Sequence, residues 1–115
     1  MAISEAFSGS ETVTTTEWSM TTDTAGPDAS TTDGIFQAFV DLNALAAGDR
    51  YEFRLYEKVI AGSTQRLVYR EVFDGAQTEA NFCSPSLILM HGWDMTLIKI
   101  AGTDRAIDWS IRSIA

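Results

Sequence analysis

The chain has 115 residues, 45% hydrophobic and 21% charged, enough for one domain that buries roughly 65% of its unfolded surface in a single core. Sixteen acids against eight bases leave a net charge of -8, and the bases do not cluster. Such a chain gains little from the counterion release that drives nucleic-acid binding, and anionic membranes repel it.

The first ten residues, MAISEAFSGS, lack the basic and apolar regions of a signal peptide. Isolated Ile3 and Phe7 in that polar setting suit an N-terminal arm, residues 1–10, that docks on a neighbour. The Thr-rich stretch Glu11–Met20 favours a strand, with Trp18 left free to stack on a ligand or pack in the core. Thr21–Gly34 is made almost wholly of turn formers and reads as a long exposed loop. Ile35–Leu42 predicts a strand with Phe36, Ala38, Val40 and Leu42 on one face. Asn43–Asp49 suits a single helical turn or tight connection.

Arg50–Ile60 carries the clearest signal: Tyr51, Phe53, Leu55 and Val59 alternate with polar residues at the period of a half-buried strand. After a turn of hairpin length, residues 66–73 return as its antiparallel partner. Residues 76–85 read as irregular, and Ser86–Gly92 as a short strand covered on both faces. Two alternating runs, 93–101 and 105–114, then meet at Gly102 and predict a closing hairpin. In it Ile107, Trp109 and Ile111 face the core. Ile98 and Ile100 fall on the face opposite Trp93, Met95 and Leu97, which points to contact with another surface or to a bend near Lys99. Seven or eight short strands with no amphipathic helix predict an all-β fold, a single antiparallel β-sandwich or jelly-roll-like domain over residues 11–115.

No reactive constellation emerges. His91 is the only histidine and Cys83 the only cysteine, so zinc has too few ligands and no disulfide forms within the chain. Cys83 reads as a small, partly buried apolar residue and His91 as a hydrogen-bonded structural one. Asp23, Asp28 and Asp33 recur in the loop without the spacing of an EF-hand. No carboxylate pair stands out for glycosidase work, and phosphate-binding Gly-rich loops are missing. The expectation is a non-enzyme with no cofactor and no metal, one that binds neither nucleic acid nor membrane.

The C-terminal pattern G-W-D-M-T-L-x-K-x-A-G-T-D-R-x-I-x-W-S-I-R resembles the C-terminus of small virion-associated proteins of tailed bacteriophages. The stretch LAAGDRYEFRLYEKV (Leu45–Val59) is similar to their middle region. The resemblance implies a head protein, a decoration (cement) protein on the outer capsid surface, whose partner is the major capsid protein lattice. A tail or adhesion component binding a receptor or glycan is the alternative. The expected contact residues are Ile3, Phe7, Trp18, Ile98 and Ile100, with self-association as a homotrimer.

Overall fold

A computed structural model describes residues 2–114, and among these every regular element is a strand. In chain order they are β1 (Ile3–Val13), β2 (Trp18–Ser19), β3 (Thr24–Ala25), β4 (Gly34–Asp41), β5 (Arg50–Glu57), β6 (Arg66–Asp74), β7 (Asn81–Cys83), β8 (Leu87–Leu89), β9 (Asp94–Ala101) and β10 (Arg105–Ile114). They form two antiparallel five-stranded sheets. The first runs β1-β10-β4 with β7 and β8 both on the far side of β4; the second runs β3-β2-β9-β5-β6. The chain is therefore a β-sandwich of jelly-roll-like order, with its first long strand paired to its last.

Period-two alternation puts the core between the sheets. Phe36, Ala38 and Val40 of β4 and Ile107, Trp109 and Ile111 of β10 meet Tyr51, Phe53 and Leu55 of β5 and Met95 and Leu97 of β9, all buried. Trp93, wholly buried, lies tilted at 43° against Phe36 with the ring centroids 4.7 Å apart, and meets Phe7 edge-on at 5.9 Å. Gly9 lies opposite Trp109 in the β1–β10 pairing. A Cβ there would come within 2.5 Å of the indole, so the ring covers the glycine and no larger residue fits without displacing it.

Several sequence expectations are corrected. Strands 93–101 and 105–114 are not a hairpin: β9 pairs with β2 and β5, while β10 pairs with β1 and β4. Alternation fixes which face of a strand is wet, but it does not say in which sheet the strand lies. Both strands aim their apolar faces at one core from opposite sides, and residues 102–104 cross between the sheets. Residues 3–10 are no free arm; they are the first part of β1, paired along its length with β10. The stretch 11–20 divides between β1 and β2. The loop 21–34 holds β3 and a bridge from Ser30 to Trp93, and β7 lies in the stretch read as irregular. Cys83 is exposed. In β8 only one face is covered: Leu89 is buried, and Ile88 is 82% exposed.

Asp49 organises the crossing. Its buried carboxylate accepts the backbone N–H of Thr103 at 2.9 Å and of Ala46 at 2.9 Å, and Arg105 Nε at 2.7 Å. Gly102, at φ +94°, packs directly on the Asp49 backbone, where any Cβ would overlap it. The Tyr51 hydroxyl donates to the Thr103 carbonyl at 2.6 Å. The two backbone donors first, and Arg105 after them, hold the Asp49 carboxyl down at about 2, from an ordinary 3.8. A depressed acid contributes stability that is present above its unfolded pKa and is lost as pH falls through its folded one. Thermal melts should therefore show a loss of stability between about pH 4 and about pH 2 that is smaller in Asp49→Asn, a variant already destabilised at neutral pH.

Candidate interaction surface

The buried carboxylates are engaged in structure. On the outer face of the second sheet, Glu17 accepts the Tyr56 hydroxyl at 2.6 Å, the Thr96 hydroxyl at 2.5 Å and Arg54 at 3.2 Å. Arg54 Nε also binds Glu52 at 2.9 Å. Two carboxylates share one guanidinium, so all three side chains are tied to one another in the fold. Burial, together with the hydrogen bond to Glu17, pushes the Tyr56 phenol up, which keeps it a donor. Nearby, wholly buried Asp94 accepts the Thr21 hydroxyl at 2.8 Å, the Asp28 N–H at 2.8 Å and the Met95 N–H at 2.9 Å. This carboxylate pins the 21–28 segment onto β9.

The five expected contact residues do not come together. Phe7 and Trp18 are partly buried and packed against the core, and the Trp18 indole N–H donates to Asp23 at 2.9 Å. Ile98 is half-buried on the outer face of the second sheet, opposite Glu52, while Ile100 is exposed near the end of β9. Ile3 is 73% exposed. His91 is anchored by its backbone, its N–H donating to Glu57 and its carbonyl accepting from Lys58.

What Ile3 does meet is a set of residues the sequence did not single out. The register aligns Ile3 with Ile114, Ile114 with Ile35, and Ile35 with Ile88, one on each of β1, β10, β4 and β8. Ile35 and Ile114 are each 39% exposed, between the more exposed Ile3 and Ile88 at the ends. With neighbouring strands about 4.8 Å apart, the row is about 15 Å long and crosses the whole outer face of the first sheet. Ile3, Ile35 and Ile114 of this row line, with Phe39, an apolar pocket of about 230 Å³. The Arg112 guanidinium stacks 3.9 Å above the Phe39 ring, which keeps its charge beside the row and not over it. Each isoleucine occupies the phase of its strand that a solvated face would give to a polar residue: Ile35 alternates against Phe36, Ile114 against Ile111. That phase was the available signal.

The apolar surface continues around this end of the sandwich. Met90 follows Ile88 and, with Lys58 and Ala61, lines a second pocket of about 250 Å³. Beyond it is the β5–β6 tip, where Val59 and Ile60 are exposed. Glu57 ties the two parts together by accepting the N–H groups of Met90 at 3.0 Å and His91 at 3.1 Å.

Compared with family models, curated proteins and solved structures, the chain matches none.

Proposed function

We propose that this chain is a structural virion protein of a tailed bacteriophage, a decoration protein that binds the capsid lattice on its outer surface. The observation that carries the reading is the belt of solvent-facing aliphatic side chains, the isoleucine row and the Val59–Ile60 tip, on a sandwich whose buried carboxylates all hold its own chain. Apolar groups arranged this way on a soluble surface serve contact and not turnover. The C-terminal resemblance supports the virion setting. So does the jelly-roll-like order, an architecture that viral capsid domains use, as a fold-level analogy. A net charge of -8 favours the outer face, away from packaged DNA. Binding only the assembled lattice stabilises it by mass action.

The homotrimer was expected from a free arm and from the two apolar faces of β9. The arm is the start of β1, paired with β10, whereas Ile98 and Ile100 stay on the outer face of the second sheet.

An adhesion or tail role is the second reading. A pocket of about 610 Å³, where Gln77, Glu79 and Asn81 line the space beside Phe82, favours it, since polar groups next to an aromatic ring suit a glycan. Co-sedimentation with empty expanded heads of the encoding phage separates the two. The decoration reading expects saturable pelleting, weakened on the order of 100-fold by Val59→Ser with Ile60→Ser, since two aliphatic side chains lose their burial. Bare heads together with glycan-array binding would replace it with the adhesion reading.

A further inference from the structure

We infer that the outer face of the first sheet is a homotypic interface, on which two copies of this chain pack isoleucine row against isoleucine row. The inference holds whether or not the protein decorates a shell.

Charge is the first argument for a second copy as the occupant. For a chain of net charge -8, self-association needs a surface where little of that charge sits. The register brings only four charged side chains to this face: Glu5, Arg112, Asp41 and Asp108. Glu5 and Arg112 are direct cross-strand neighbours, one alternation in from the row. A two-fold contact presents a patch to its own copy, so this acid and base can pair across the interface in both directions. Asp41 and Asp108 lie opposite each other, six residues from Ile35 and Ile114 along their strands. That is about 20 Å from the row, where the roughly 30° angle between packed sheets opens the faces. Between these ends the face carries the small side chains Ser8, Ser110 and Cys83, together with Gln37 and with Phe39 beneath the Arg112 guanidinium.

Area is the second argument. Three strands of 8 to 11 residues, with two of 3 residues beside β4, present a face on the order of 500 Å², somewhat below the roughly 800 Å² that each partner gives to a standard interface. The contact is therefore a weak one, with a Kd on the order of 100 µM. Because each copy carries -8, raising the salt concentration screens the repulsion and tightens the dimer.

Sedimentation equilibrium on the full chain, from a few micromolar to about 1 mM, tests this. The expected result is a monomer–dimer equilibrium that strengthens with salt. Ile35→Ser with Ile88→Ser should weaken it at least tenfold, while Val59→Ser with Ile60→Ser, at the tip, should leave it unchanged. All four side chains are solvent-facing, so circular dichroism should show both variants folded. If the row variant does not fold, Ile3→Ser alone should weaken the dimer several-fold. A monomer at every concentration, a row variant that dimerises like the parent, or loss of the dimer in the tip variant would each overturn the interface.

Discussion

Trp93→Ala should lower the stability of the fold by about 4 kcal/mol, the largest loss of any single truncation considered for this chain. Trp93 has no exposed surface, and its ring is held between Phe36 and Phe7, one from each long strand of the first sheet that flanks β10. Removing it leaves a void bounded by two strands that cannot collapse without breaking their pairing to β10. The indole N–H also donates to the Thr32 carbonyl at 2.7 Å, so alanine leaves that acceptor without its donor. Against a typical domain stability of about 5–15 kcal/mol, the melting temperature should fall by at least about 12 °C. Trp93→Phe keeps most of the volume and should cost less than half as much. Chemical denaturation of both variants measures the difference, and equal costs would show that the hydrogen bond outweighs the packing.

Asp94→Ala should cost about 3 kcal/mol and act in one place. Three donors lose their acceptor: the Thr21 hydroxyl and the N–H groups of Asp28 and Met95. Two of these belong to the segment 21–28, so hydrogen exchange should accelerate there before it does in β5 or β10. Burial holds the Asp94 carboxyl above its ordinary value, against hydrogen bonds that pull it down. A raised acid costs stability as pH climbs from its unfolded pKa to its folded one, and acidification relieves that cost over the same span. The Asp94 window therefore lies above about pH 4 and the Asp49 window below it. Without Asp94, the gain in stability as pH falls toward about pH 4 should disappear, while the loss below about pH 4 remains. Uniform acceleration of exchange over the whole chain would show that Asp94 stabilises the sandwich globally and is not a local staple.

The class of fold was legible because alternation is a local property. Phe36, Ala38 and Val40, or Ile107, Trp109 and Ile111, declare their buried face without reference to any other strand. Which sheet a strand joins is not local. The pairing of β9 and β10 with different partners depends on the crossing at 102–104, held by Asp49 and Tyr51 from the other half of the chain. In a linear reading Asp49 is one acid among sixteen. The start of β1 was missed for a different reason: serines, Gly9 and Glu5 dilute its pattern, and the ring that covers Gly9 comes from Trp109. The interaction surface was half visible. Ile3 was singled out from its polar surroundings, but Ile35, Ile88 and Ile114 are each a single out-of-phase residue. Only the register of four strands lines them up. Phe7 shows the converse error, an isolated aromatic that proves to be core because Trp93 lies beneath it.

A density map of the intact phage particle to which the proposed function assigns this chain, at a resolution that traces strands, bears on the whole account at once. The account predicts this sandwich on the outside of the shell, with the Val59–Ile60 tip against the major capsid protein and the first sheet facing a second copy. Density for the chain in the tail, inside the shell or nowhere on the particle would contradict it.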